Sequence, residues 1–169
     1  MPHRLDRKGL GGFTLMEIVL VMVIVGILSA IAVGNFRGIM EKYRVEGETK
    51  QMFIDLMDAR GRAMQRNRVF HVQITDNAYK TFEDTNPAPD GDGVLTGSDT
   101  QVASVTVKHT MTPTGGLSNF RFNRNGIATA TGTVRFTSSA RPDYDCITVK
   151  ATRIKMGQYN ATDNTCVEK

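Results

Sequence analysis

The sequence predicts an α+β fold in which a long N-terminal helix packs on an antiparallel β-sheet domain. Three observations lead to this prediction. An uncharged apolar run fills residues 18–33, a helical spacing of apolar residues continues to about residue 66, and short alternating segments separated by turn residues follow. The total of 169 residues suits one modest domain with an appendage.

The apolar run is long enough to cross a membrane. Within it, only one glycine and one serine interrupt the strongly apolar side chains of residues 18–33. A helix over Phe13–Val33 would be about 32 Å long at ~1.5 Å per residue, and a bilayer has a hydrocarbon core of about 30 Å. We therefore predict that residues 13–35 form a transmembrane helix. A buried core helix is the alternative.

A conventional secretory signal is a second alternative for this segment, because basic residues precede the apolar run. Such a signal is cleaved after its apolar region, behind small residues. Here Gly11 and Gly12 come before the run, and no good small-residue site follows it. We therefore expect the helix to stay on the mature chain. The basic residues 1–12 would remain in the cytoplasm, which places the domain that follows on the outer side of the membrane.

The helix is expected to continue into a globular domain of residues 36–169. No proline occurs between Pro2 and Pro87, and apolar residues recur at three- and four-residue spacings. This second half is amphipathic, as expected of a helix that packs on a sheet and ends near residue 66. Its buried stripe is predicted to contain Met52, Phe53, Leu56, Ala59 and Ala63.

The rest of the globular domain is predicted to form an antiparallel sheet. Strand patterns, each bounded by Gly, Pro, Asn or Asp, occupy residues 69–74, 79–82, 101–108, 120–122, 127–136, 146–151 and 153–158. Residues 83–100 are rich in turn-forming residues and are predicted to form a long loop.

The two cysteines, Cys146 and Cys166, both lie near the C-terminus. In an oxidising compartment they are expected to form a disulfide, which would contribute about 3 kcal/mol by the chain-entropy model. The net charge of +4 is a weak argument for an acidic partner, because the first twelve residues carry part of it.

The segment Gly12-Phe13-Thr14-Leu15-x-Glu17, followed by the apolar helix, resembles the N-terminus of type IV pilins and type II secretion pseudopilins. In the soluble part, Phe122-Asn-Arg-Asn-Gly126 and Cys146-Ile-Thr-Val are similar to the GspH/FimT group of minor pilins. The resemblance implies a pilin fold and a structural subunit of a type IV pilus or a type II secretion pseudopilus. A major pilin and a DNA-binding minor pilin for DNA uptake are the alternatives. Secretion, motility and DNA-uptake machines share these motifs.

The resemblance also implies how the N-terminus is processed. Prepilin peptidase would remove residues 1–12 as a leader, cut between Gly12 and Phe13, and methylate the new amine of Phe13. The chain would start as a single-pass inner-membrane protein and would then join other subunits at an inner-membrane assembly platform. Glu17 would pair with the N-terminal amine of a neighbouring subunit; snorkelling of its carboxylate to the headgroups is the alternative.

The predicted loop raises the question of a metal. Asp84, Asn86, Asp90 and Asp92 supply the oxygen ligands that calcium prefers, and Asp99 lies nearby in the sequence. Their spacing does not match an EF-hand. A solvated loop rich in turns is the competing interpretation, and no other cofactor is indicated.

Two groups of basic residues are candidates for contact with DNA. Four arginines crowd the end of the predicted helix, and Arg153 and Lys155 are loosely similar to a basic motif of DNA-uptake pilins. A solvated charged face is the competing interpretation. The sequence contains none of the common catalytic motifs, and we expect His71 and His109 to be surface or sheet residues, so no enzymatic activity is predicted.

Overall fold

The computed structural model describes residues 12–169, with the side chains of residues 32–35 and 37 left outside the description. The chain divides into two compact units, one up to Gly38 and one from Ile39 to Lys169. A single helix, α1, runs through both units from Leu15 to Arg66. This confirms the predicted helix, whereas the predicted leader, apart from Gly12, lies outside the described residues.

Helix α1 ends in a motif that the sequence encodes locally. Asn67 has a positive φ of 53°, which asparagine tolerates better than most residues. The N–H of Arg68 then donates to the carbonyl oxygen of Ala63 at 3.2 Å, the long return bond of a Schellman motif. The turn reverses the chain directly into the first strand.

Nine strands follow the helix within the described residues. They are β1 (Phe70–Ile74), β2 (Ala78–Glu83), β3 (Thr100–Thr106), β4 (Met111–Pro113), β5 (Asn119–Phe122), β6 (Gly132–Phe136), β7 (Cys146–Val149), β8 (Ile154–Asn160) and β9 (Thr165–Glu168).

The strands form two antiparallel sheets. The first has the order β3-β2-β1-β5 and the second has the order β4-β6-β7-β8-β9. The sequence predicted one sheet, and it did not predict the short strands β4 and β9. The predicted strand over residues 127–136 is also shorter in the structure, because β6 begins only at Gly132.

The core of the second unit lies between the helix and the sheets. Met52, Leu56, Ala59 and Ala63 are almost completely buried along one face of α1, as the spacing predicted, while Phe53 is only partly buried. Alternate residues of the strands complete the core, namely Phe70, Val72, Ile74, Phe120, Phe122, Val134, Phe136, Ile147 and Val149. Period-two alternation thus gives the first sheet an inner face toward the core and an outer face away from it.

The predicted disulfide is present between Cys146 and Cys166, which are 20 positions apart. It joins β7 to β9, the last strand of the second sheet. We expect the double substitution of both cysteines by serine to lower the free energy of unfolding by about 3 kcal/mol, because the reduced chain regains loop-closure entropy. Denaturant unfolding of the full chain in detergent micelles would measure this loss. An unchanged midpoint would mean that β9 is held by its other contacts alone.

Candidate functional site

The first turn of α1 is capped by the side chain of Thr14. The backbone N–H of Glu17 donates to the hydroxyl oxygen of Thr14 at 3.2 Å and to the carbonyl oxygen of Thr14 at 3.1 Å. Thr14 is therefore the N-cap and Glu17 is the third helical residue, the positions of a capping box. The Thr-x-x-Glu spacing that encodes such a cap is visible in the sequence. The cap itself involves the side chain of Thr14 and the backbone of Glu17.

The bond between Gly12 and Phe13 lies in backbone that is not helical. Residues 12–14 have no regular secondary structure, and a Cβ atom placed on Gly12 would meet no atom within 4 Å. The side chain of Phe13 is 79% exposed. The predicted cleavage point is thus accessible and stands just before the capped helix start.

The first unit presents an apolar surface that no other described part of that unit covers. The exposed large side chains are Phe13, Leu15, Met16, Ile18, Val19, Leu20, Val21, Met22, Val23, Ile24, Val25, Ile27, Leu28 and Ile31. Large exposed apolar patches of this kind mark interaction surfaces. Glu17 lies in this surface and, with Phe13, Ile18, Val21 and Met22, lines a hollow of about 300 Å³.

Two further findings concern membranes and metals. Among the described residues, no helix combines the length and the apolar character needed to cross a membrane. Within the same part of the chain, no three His, Cys, Asp or Glu side chains are grouped in a way that could hold a metal ion.

Three acidic residues of the loop between β2 and β3 accept hydrogen bonds from the loop backbone, whereas the Oδ1 atom of Asp84 is buried without a partner among the described residues. The carboxylate of Asp84 accepts a hydrogen bond from the N–H of Gly93 at 2.6 Å, and Asp92 accepts one from the N–H of Val94 at 2.8 Å. Asp99 accepts three backbone hydrogen bonds, from Thr85, Asn86 and Thr96. These donors lower the pKa of Asp99 in spite of its burial, which on its own would raise it. The loop carboxylates thus stabilise backbone N–H groups, as in turns of this composition.

The basic residues near the end of α1 are mostly paired. Arg62 contacts Asp58 at 2.7 Å, and both Arg66 and Arg68 contact the buried carboxylate of Glu83. The contacts with Glu83 tie the end of the helix to β2, and because Arg66 and Arg68 share that one carboxylate, part of their positive charge stays uncompensated.

The two candidate DNA-contact residues differ in their surroundings. Arg153 is exposed in the turn between β7 and β8. Lys155 instead contacts Glu168 on β9 at 3.0 Å, and Lys150 contacts the same carboxylate at 2.9 Å. Hydrogen bonds from these two lysines lower the pKa of Glu168 to about 2.

This pair of contacts predicts an acid-dependent loss of stability. Because the folded pKa of Glu168 lies below its usual value of 4.5, the contribution is complete above pH 4.5 and is lost as the pH falls toward about 2. We expect Glu168→Gln to be less stable than the wild type at neutral pH and to approach it across this window. Unfolding of both proteins as a function of pH would measure the difference. The Lys150→Met/Lys155→Met variant should flatten the same window, and an unchanged difference at pH 2 would contradict the assignment.

The two histidines of the globular domain occupy unlike positions. His71 is a β1 residue, as expected, and is buried; its burial lowers the pKa of the imidazole, so the ring is neutral at pH 7. His109 follows β3 and is also buried, and its ring nitrogens lie 2.6 Å from Glu41 and 2.7 Å from Glu48 on α1. The expectation of an ordinary surface or sheet residue is therefore wrong for His109, which connects the β3–β4 turn to the helix.

Comparison with known proteins gives the class of the molecule. The model of the prokaryotic N-terminal methylation motif matches residues 7–33, and the model of type II transport protein GspH matches residues 48–152. A comparison with curated proteins gave no match.

Two solved structures are similar to this chain, and the first of them shares its fold. The type IV minor pilin FimU of Pseudomonas aeruginosa is 14% identical, with a TM-score of 0.52, and the match covers 70% of this chain and 91% of that one. The minor pseudopilin EpsH of the Vibrio cholerae type 2 secretion system is 11% identical, with a TM-score of 0.49, and the match covers 68% and 96%.

The fold and the N-terminal motif together define a pilin-like structural subunit. The chain belongs to the type II transport protein GspH family, whose model covers more than half of its length. It is accordingly a subunit of the minor pilin or pseudopilin type, as the sequence predicted.

Proposed function

We propose that this subunit is made as a precursor and assembles through its N-terminal helix into a pilus or pseudopilus. Residues 1–12 would be the leader, residues 13–35 the membrane and assembly helix, and residues 36–169 a globular domain in the periplasm or outside the cell. The membrane-spanning role of residues 13–35 rests on the sequence alone. The single observation that carries the proposal is the apolar surface around one carboxylate, Glu17.

The geometry of the N-terminus supports cleavage between Gly12 and Phe13. A peptidase must bind its substrate in an extended form, and the backbone here is irregular, with open space beside Gly12. The hydroxyl of Thr14 caps the helix from its own position, so removal of residues 1–12 leaves the helix start intact. Methylation of the new Phe13 amine would follow, and that amine would keep its positive charge.

The exposed apolar side chains must be kept from water both before and after assembly. Full burial of one large apolar side chain is worth roughly 1.5–3 kcal/mol relative to water, and more than ten such side chains of this segment are exposed. Before assembly, the proposal places these side chains in the inner membrane, where lipid covers them. After assembly, the helices of neighbouring subunits would cover them instead.

Glu17 would make this packing selective for one register. A carboxylate in a water-poor bundle is costly unless a positive group pairs with it, and the nearest such group in a processed fibre is the amine of Phe13 on a neighbour. The hollow beside Glu17 is lined by Phe13, Ile18, Val21 and Met22, so a partner entering it would meet apolar side chains around the carboxylate. Prepilin peptidase and an inner-membrane assembly platform are the other partners of this proposal.

Intact-mass measurement of the protein isolated from its native cells tests the proposal directly. We expect a chain that lacks residues 1–12 and carries one added methyl group at Phe13. A chain that retains the leader would point to an unprocessed membrane-anchored module. A chain that begins after Ala32, with the apolar helix removed, would contradict the whole proposal.

Membership of the GspH family favours a minor subunit over the major pilin of a fibre. Quantification of the protein in sheared surface fractions separates these two roles. A minor subunit should be a small fraction of the fibre protein, whereas a dominant band would identify a major pilin.

Calcium binding by Asp84, Asn86, Asp90 and Asp92 stays a separate prediction. The hydrogen bonds that Asp84 and Asp92 accept from the loop backbone favour the competing interpretation, a loop stabilised by its own carboxylates. Calorimetric titration of the full chain in detergent with calcium decides between them. Saturable heat would support a site, and the absence of heat would exclude one.

DNA contact through Arg153 and Lys155 is the alternative function from the sequence. Lys155 shares the carboxylate of Glu168 with Lys150, so it would have to exchange that partner for a phosphate. Phosphate contacts weaken steeply with salt, so binding should be strongest at low ionic strength. A mobility shift that is absent even at low salt would exclude this function.

A further inference from the structure

A buried histidine lies between two carboxylates of α1, and each of its ring nitrogens contacts one of them. His109 belongs to the β3–β4 turn (residues 107–110) and is 6% exposed. Its Nε2 atom is 2.6 Å from the Oε1 atom of Glu41, and its Nδ1 atom is 2.7 Å from the Oε2 atom of Glu48. The two glutamates are seven positions apart, so about two turns of α1 bring them to the same face of the helix, one on either side of the ring.

These two contacts need a hydrogen on each ring nitrogen. An ionised carboxylate only accepts hydrogen bonds, and a neutral imidazole carries hydrogen on only one of its two nitrogens. If the ring of His109 were neutral, its other nitrogen would direct a lone pair at a carboxylate oxygen 2.6 or 2.7 Å away, and the two atoms would repel each other. A second proton, on the imidazole or on one of the glutamates, removes this repulsion.

The surroundings of both glutamates place the second proton on the imidazole. Glu48 also accepts hydrogen bonds from the backbone N–H groups of Lys108 at 3.0 Å and of His109 at 3.2 Å, and backbone donors of this kind are typical partners of an ionised carboxylate. The hydrogen bond with His109 lowers the pKa of Glu41, and the nearby charges of Lys108 and Arg44 act in the same direction. Both glutamates are therefore acceptors, and the ring is the donor to each.

The other titratable groups around the ring have less influence on its charge. Arg44 on α1 and Lys108 in the turn are positive and oppose a second proton on the ring, but both side chains are exposed, so solvent screens them. Tyr79 on β2 lies close enough to interact with Glu48, and burial raises the pKa of its phenol, so it carries no charge near neutral pH. The two carboxylates in direct contact with the ring thus outweigh these groups.

We propose that His109 is a pH-sensitive clamp, whose doubly protonated ring fastens the β3–β4 turn to α1 and whose loss of one ring proton releases it. Both ring contacts are charge-assisted hydrogen bonds, which are roughly twice as strong as neutral ones. An unfolded histidine has a pKa of about 6.5, so the contribution of the clamp to stability is complete below this pH and is lost as the pH rises above it. The clamp lies in the globular domain and does not depend on the assembly role of the N-terminal helix.

NMR of the imidazole nitrogens tests the charge state in the wild-type chain. The full chain in detergent micelles contains only three histidines, and isotope labelling makes each ring visible. Once the ring of His109 is assigned through its own backbone, we expect hydrogen on both of its nitrogens at pH 7. His71 is the internal reference, because burial lowers the pKa of its imidazole and only one of its nitrogens should carry hydrogen. A wild-type His109 ring with one bare nitrogen at pH 7 would overturn the proposal.

Matched variants connect the ring proton to stability. The wild type should resist denaturant better than His109→Gln at about pH 6, and this advantage should shrink toward about pH 9, because the folded chain then gives up a proton that the unfolded chain has already lost. Glu48→Gln should leave one nitrogen of His109 without hydrogen at pH 7. Asp58→Asn removes a carboxylate that pairs with Arg62 elsewhere on α1, so it should leave both nitrogens protonated. A stability difference that does not change with pH, or equal effects of Glu48→Gln and Asp58→Asn on the ring, would contradict the clamp.

Discussion

Chains that carry Gly12→Val should remain at the mass of the unprocessed precursor. Prepilin peptidase is expected to require the small residue at this position, because a side chain on it would displace the scissile bond from the catalytic groups. Misplacement of about 1 Å can cost roughly 100-fold in rate. The measurement is the fraction of chain lacking residues 1–12 after co-expression with the peptidase, determined by intact mass. Unprocessed chains should also be missing from the fibre fraction.

Valine at position 12 is not expected to disturb the folded structure. A Cβ atom at position 12 would meet nothing within 4 Å, so the folded chain has room for valine. Gly47 lies in equally open surroundings on α1, and Gly47→Ala is therefore a matched control that should be processed normally. If Gly12→Val were cut as fast as the wild type, the leader boundary proposed here would be wrong.

Features governed by local sequence were predicted well. The absence of proline and the three- and four-residue spacing gave the helix and its end near residue 66, and the structure ends α1 at Arg66. The predicted stripe around Leu56 is buried, and the two cysteines are bonded. Each of these depends on chain neighbours or on a short loop, which a single sequence displays directly.

Features governed by distant partners were predicted less well. Strand β4 has only three residues. It forms because Met111 pairs with Phe136, which lies 25 residues later in the sequence. Residues 127–131 have a strand-like composition, yet the N–H of Ala128 donates to the carbonyl oxygen of Ala151 outside any ladder. Composition cannot reveal such partners, because the same residues pair differently in another register.

The candidate sites follow the same division. The N-terminal motif is contiguous, so the sequence alone is enough to propose Gly12, Phe13 and Glu17 as site residues. The pairing of His71 with Arg121 spans 50 positions and is created only by the sheet. The clamp of His109 between Glu41 and Glu48 likewise requires a turn to meet the helix. Single histidines in a sequence carry no sign of such surroundings.

Substitution of Glu17 should have the second large effect, and two variants separate the charge of its side chain from its hydrogen-bonding capacity. Glu17→Leu removes both the charge and the acceptor that a capping box uses at its third helical position. Glu17→Gln removes the charge but keeps a side chain that capping boxes accept. If the carboxylate pairs with a neighbour's amine, both variants should insert into the membrane and be processed, and neither should assemble.

The expected size follows from the loss of one partner in a water-poor bundle. Removing one member of a buried ion pair typically costs about 3–5 kcal/mol, because the other charge is left without compensation. At about 1.4 kcal/mol per factor of ten, subunit affinity should fall by roughly two to three orders of magnitude or more. Incorporation of processed subunits into sheared fibres, relative to the membrane pool, would measure this loss.

Comparison of Glu17→Gln with Thr14→Ala separates the effect of the Glu17 charge from the effect of the helix cap. The hydroxyl oxygen of Thr14 accepts the capping hydrogen bond from the backbone N–H of Glu17, so the helix start should survive in Glu17→Gln. Thr14→Ala removes that cap and keeps the carboxylate, which should cost only about 1 kcal/mol of helix stability. Normal assembly of Thr14→Ala beside failure of Glu17→Gln would establish that the charge itself selects the register. Normal assembly of Glu17→Gln would instead show that the charge of Glu17 is not needed for assembly.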